Sequence, residues 1–123
     1  MVRRLALNLI GALCLSAMVG AAPTASPVAD AAMRGDVAAI RALLKEGADV
    51  NAARGDGMSA LHWAAERGNA ELAEMLVHAG ANVAAVTRIG QYAPLHVAAR
   101  AGSDAVAGVL LKAGARVDAK AAQ

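Results

Sequence analysis

Phenylalanine is absent from this 123-residue chain, and Trp63 and Tyr92 are its only aromatic residues. A buried interior must therefore be assembled from alanine and aliphatic side chains. Cysteine occurs once, as Cys14, so no disulfide within the chain can stabilise the fold. An excess of either charge is also missing once the first residues are set aside. The chain has 12 basic and 10 acidic residues, and Arg3 and Arg4 account for the difference. The remainder is neutral with histidine uncharged. That argues against nucleic acid as a partner, which needs a net basic face.

Long apolar runs are limited to one, Leu5 to Val19, interrupted by Asn8 and Ser16. Arg3 and Arg4 precede it, and the small residues Gly20, Ala21 and Ala22 follow. This is the pattern of a signal peptide, expected at 1–21 with cleavage after Ala21. The rival reading is an uncleaved anchor. At about 1.5 Å per residue the run reaches roughly 22 Å, short of a hydrocarbon core of about 30 Å. A lipoprotein reading of Cys14 is disfavoured because bulky Leu13 precedes it. The expected products are a short linker at 22–25, a domain at 26–120 and a tail at 121–123. The expected location is periplasmic or secreted, with no membrane contact after cleavage.

The remainder is repetitive. Residues 28–52, 61–85 and 95–119 align at offsets of 33 and 34 residues. The second and third segments agree at 12 of 25 positions. Alanine is too common here for its matches to weigh much. The informative matches are Gly35, Gly68 and Gly102; Leu43, Leu76 and Leu110; Gly47, Gly80 and Gly114; and His62 with His96. Each segment reads as two short helices, the first ending at the first glycine and the second at the next. Paired alanines (Ala31-Ala32, Ala64-Ala65, Ala98-Ala99) thin the first helix so that neighbours can approach. The second supplies bulk at helical spacing: Ile40, Leu43 and Leu44; Leu72, Leu76 and Val77; Val106, Leu110 and Leu111. Ser26-Pro27 reads as a helix start. Asp56-Gly57 and Ile89-Gly90 supply turn residues between segments. No segment can bury its apolar face alone, so stacking must create the core.

Ser59-Ala60-Leu61-His62, Ala93-Pro94-Leu95-His96 and Gly47-Ala48-Asp49-Val50-Asn51-Ala52 resemble the signature phrases of the ankyrin repeat. The resemblance spans roughly residues 26–120. It implies an all-α solenoid of about three helix-turn-helix repeats, approximately 26–54, 55–88 and 89–120, joined by short β-hairpins. The first repeat departs from the pattern by lacking its hairpin and Leu-His pair. The third carries one inserted residue near Gln91 and Tyr92.

His62 and His96 have no Cys, Asp or Glu beside them at ligand spacing. The resemblance gives them a structural role instead, tying each turn to backbone and hydroxyl groups. Ala93 lacks the hydroxyl that Ser59 supplies, so the third turn is expected to be weaker. Ser103 sits at a capping position, and no nucleophile has a base. The glycines are single, so they form no phosphate loop. No cofactor, metal or catalysis is expected.

The resemblance also implies a protein-binding surface formed by the hairpins and the exposed side of the first helices. Its variable positions correspond to Arg54, Asp56, Met58, Glu66 and Arg67, then Arg88, Gln91, Tyr92 and Arg100, with Trp63 beside them. Trp, Tyr and Arg are the types that dominate interface energy. The alternative for Trp63 is space-filling between helices, and for the arginines a solvated surface. The partner expected is another protein. Self-association through an uncapped third repeat is a further expectation, because Gly108 weakens its second helix and no repeat covers Val106, Val109 and Leu110. A competing function is the N-terminal part of a longer exported scaffolding solenoid.

Overall fold

The structure, a computed structural model, describes residues 26–117. The expected signal peptide, the linker at 22–25 and the last residues of the expected domain lie outside the described residues.

Six helices follow one another in three pairs: α1 Pro27–Arg34 and α2 Val37–Lys45; α3 Ala60–Arg67 and α4 Ala70–His78; α5 Pro94–Ala101 and α6 Asp104–Lys112. The sequence dictates each break. Asp36, Asn69 and Ser103 all stand at N-caps of second helices. Their side-chain oxygens accept from the N–H groups of Ala39, Leu72 and Val106 at 3.0, 3.0 and 3.4 Å. Gly68 closes α3 at φ 68°, and Gly80 follows α4 at φ 95°. These left-handed backbones suit residues without a Cβ. The Ala81 N–H can then reach back to the Leu76 carbonyl at 3.0 Å.

The first helix starts at Ser26-Pro27 as expected, whereas the β-hairpins expected between repeats do not form among the described residues. Ser26 precedes Pro27 at the head of α1, but its side chain makes no capping bond. Its carbonyl instead accepts from Asp30 N–H at 2.9 Å. The connections between repeats contain turns and no strand among the described residues. Each is closed by too few cross-bonds for a ladder. Arg54 N–H donates to Met58 O at 3.1 Å, and Thr87 N–H to Tyr92 O at 3.0 Å. In the second loop Tyr92 N–H turns to Thr87 Oγ1 at 3.0 Å. Gln91, beside the expected insertion, sits at φ 51° and is the one non-glycine residue at positive φ among those described. We call the two loops finger 1 (52–59) and finger 2 (86–93).

The first helices pack side by side, α1 on α3 and α3 on α5, and α4 packs on α6. The thin alanine faces allow this: Ala31, Ala32, Ala64, Ala65 and Ala98 are completely buried. Ile40, Leu72, Leu76, Val106 and Leu110 fill the space beneath. Removing any one of these to alanine would cost about 2–5 kcal/mol.

The bulk stripe is narrower than the spacing suggests, because Leu111 is exposed. The uncovered end also differs from expectation. Val106 and Leu110 are fully buried, on a helix that packs against α4 of the second repeat. The open residues of the third repeat are those facing onward. Ala99 is exposed where Ala32 and Ala65 are buried, and Leu95 and Ala107 are only partly covered where Leu61 and Ala73 are buried.

Candidate functional site: the finger-side surface

His62 organises this surface. It is fully buried. Ser59 N–H and the Ser59 hydroxyl lie 3.2 and 2.9 Å from its Nδ1, and Nε2 lies 2.8 Å from Tyr92 O. A carbonyl can only accept, so Nε2 carries the proton. A backbone N–H can only donate, so Nδ1 is bare. The ring is therefore a neutral clamp between the start of α3 and finger 2. Burial holds its pKa below the ordinary 6.5, against the opposing effects of the Tyr92 and Ala85 backbone and of Asp56. His96 repeats the turn-closing bond, accepting from Ala93 N–H at 2.9 Å. Ala93 offers no hydroxyl, as the sequence indicates.

Four of the arginines expected at the surface reach back to the preceding repeat. Arg54 of finger 1 pairs with Asp30 of α1. Arg67 of α3 donates through Nε and Nη2 to Met33 O at 3.1 and 2.7 Å. Arg88 of finger 2 donates to Gly55 O at 3.1 Å, while its own N–H donates to Asp56 O at 3.0 Å. Arg100 of α5 lies 3.5 Å from Glu66 of α3. These side chains stitch neighbouring repeats together. Sequence spacing hides this, because each contact crosses 24 to 34 residues.

Other expected residues converge on a groove. Asp56, Met58, Tyr92 and Arg100 line a cavity of roughly 250 Å³ with Thr87, Ile89 and Val97. The Arg100 guanidinium lies 5.2 Å from the Tyr92 ring centre, and His96 meets that ring edge-on at 6.3 Å. Asp56 folds back on its own turn, accepting from Met58 N–H at 2.9 Å. Gln91 is exposed at the tip. Trp63 stands apart from the groove lining. It is half-buried against the core, and its Nε1 is buried without a hydrogen-bond partner among the described residues.

Ile89 is the residue that sequence reasoning missed. It is 86% exposed, the most exposed large apolar side chain among those described. As Ile89-Gly90 it reads as turn material. The one signal in the sequence is the 34-residue offset, which marks finger 2 as one residue longer. A Cβ at Gly90 would lie 2.3 Å from the Tyr92 ring, so only glycine lets the tip fold over that ring.

A family model described as ankyrin repeats in three copies matches residues 10–87 and 28–121. The chain belongs to the ankyrin-repeat family. Ankyrin repeats are generally protein–protein interaction modules and typically non-catalytic. The His62 clamp, the paired alanines and the stacked helices place this ankyrin domain's fold on its own residues as well as on the match. No curated protein matches the chain. Among the described residues no three His, Cys, Asp or Glu side chains gather as a metal site.

Proposed function

We propose that this ankyrin domain binds a partner protein through the finger-side groove, with Ile89, Met58 and Tyr92 as apolar anchors and Arg100 at the rim. The observation carrying this reading is the pairing of a nearly bare Ile89 with a concave, aromatic-floored groove. An isoleucine left in water forfeits the burial free energy of a large aliphatic side chain, about 1.5–3 kcal/mol. A partner side chain seated beside it recovers that term, and clustered aromatic and arginine residues are the usual centre of such contacts. The inter-repeat bonds of Arg54, Arg67 and Arg88 serve by holding the groove rigid, so little order is lost on binding.

The groove is tested by capture from a periplasmic extract with wild-type and Ile89→Asp baits. A protein retained by the first and lost by the second, with both baits equally folded, supports the reading. Equal retention by both places the contact elsewhere.

The proposal includes export, motivated by Arg3-Arg4, the apolar run to Val19 and the small residues after it. Mass spectrometry of the native protein should find a mature N-terminus near Ala22. Recovery of an N-terminus at Met1 in a membrane fraction would favour the anchor.

A further inference from the structure

Among the described residues both ends of the repeat stack are open, and they are complements of one another. The onward face of the third repeat exposes Ala99 and Leu111 and leaves Leu95 and Ala107 only partly covered. In the first two repeats the matching face is sealed by the repeat that follows, leaving Ala32, Ala65, Leu61 and Ala73 buried. The surfaces that do the sealing include Leu72, Leu76, Val106 and Leu110, all buried. Their counterparts in the first repeat are Ala39 and Leu43, and these are only half-covered. A cavity of roughly 410 Å³ opens there, lined by Pro27, Arg34, Ala39, Ala42, Leu43 and Glu46 among others.

Arg34 extends the parallel. It occupies the position of Arg67, which bonds the last-turn carbonyl of the preceding repeat's first helix. Arg34 itself is exposed and makes no hydrogen bond or ion pair among the described residues. By the same register its acceptor would be the carbonyl of Arg100 in another chain.

We propose that the onward face of the third repeat receives the leading face of a second copy, so that chains stack head to tail in the manner of their own repeats. Charge selects this arrangement over a tail-to-tail pair. Over residues 89–120 the third repeat carries Arg100, Lys112, Arg116 and Lys120 against Asp104 and Asp118, an excess of two positive charges. Two such ends brought together repel, whereas the leading-face cavity carries Arg34 and Glu46, with Asp30 already paired to Arg54, and so adds no net positive charge. A head-to-tail contact uses two different surfaces and does not close on itself, so it generates a series of oligomers. The leading face has alanine at Ala39 where the internal faces have Leu72 and Val106. The contact between chains is therefore weaker than the contacts within one.

Sedimentation equilibrium of the purified chain tests this between about 10 µM and about 1 mM, the range of weak association. The average mass should climb past that of a dimer. Ala42→Glu disables the leading face and Ala99→Glu the onward face. Both sites are exposed helix positions, so the fold should tolerate the change, and circular dichroism checks that it does. Each variant alone should remain monomeric. An equal mixture should form dimers and nothing larger, because one intact face of each kind remains. A wild-type chain that stays monomeric throughout overturns the proposal. So does an Ala42→Glu variant that still associates, which would mean tail-to-tail pairing. These outcomes are separate from the groove, since neither substitution lies in it.

Discussion

Arg67 closes a helix that belongs to the repeat before its own. Its Nε and Nη2 both donate to Met33 O, at 3.1 and 2.7 Å, in the last turn of α1. Carbonyls there have no partner within the helix, and a cation favours that end of the helix dipole. Arg67→Ala should therefore lower stability by about 1 kcal/mol, the charged hydrogen bond discounted for its exposure. Arg100→Ala removes a long, exposed ion pair and a contact over the Tyr92 ring, and should lower stability by less than Arg67→Ala, about 0.5 kcal/mol. Urea midpoints of the two variants check the ordering. Equal losses would mean that Arg67 is an ordinary surface residue.

His62 should make the fold sensitive to acid. Its folded pKa lies below the ordinary 6.5 because burial disfavours the charged ring. The unfolded chain then takes up a proton first as pH falls. Stability is thus unaffected well above 6.5 and declines as pH drops below it, until the folded pKa is passed. Protonation would also place a hydrogen on Nδ1, facing Ser59 N–H. Wild type should lose more stability between about pH 7.5 and pH 5 than His62→Gln, the window set by that lowered pKa. Parallel losses in the two proteins would remove His62 from the account.

Substitutions at Gly57, Gly80 and His78 should rank in that order of damage. Gly57 lies at φ 82°, and an added Cβ would meet Arg88 N at 2.7 Å. Gly57→Ala therefore suffers both backbone strain and a clash between fingers. Gly80 lies at φ 95°, and an added Cβ would meet nothing within 4 Å. Gly80→Ala suffers the backbone term alone, about 1 kcal/mol. His78→Ala, on an exposed helix end, should stay within about 0.5 kcal/mol of wild type. Melting temperatures give the ranking directly, and an inversion of the two glycines would contradict the finger contact.

The third repeat should be the first to open. It has one neighbour among the described residues, and Gly108 sits inside α6 with nothing within 4 Å of where a Cβ would stand. Gly108→Ala should therefore stabilise by roughly 1 kcal/mol without crowding. Hydrogen exchange of the dilute chain should reach residues 103–115 before residues 69–80. Simultaneous exchange of the two segments would show that the open face costs nothing.

The repeat period, the six helices and the structural role of His62 were legible because each rests on local chemistry. A glycine at a fixed offset ends a helix wherever it occurs, and Asp36, Asn69 and Ser103 cap helices through bonds three residues long. Contacts between repeats were not legible in the same way. Arg54, Arg67 and Arg88 look like free surface cations until the stack brings Asp30, Met33 and Gly55 beside them. Leu111 matches Leu44 and Val77 in spacing, yet it is exposed because no repeat follows it among the described residues. Ile89 was hidden for a different reason. A turn dipeptide predicts where the chain reverses, and says nothing about which side chain is left in solvent at the tip.

The most direct measurement of the interaction role is site-specific photo-crosslinking in intact cells. A photoreactive residue at 89 would sit at the rim of the groove, and one at 74 on α4, away from it. The account predicts a discrete adduct with one partner protein from position 89 and none from position 74. An adduct formed from position 74, with none from 89, would contradict it.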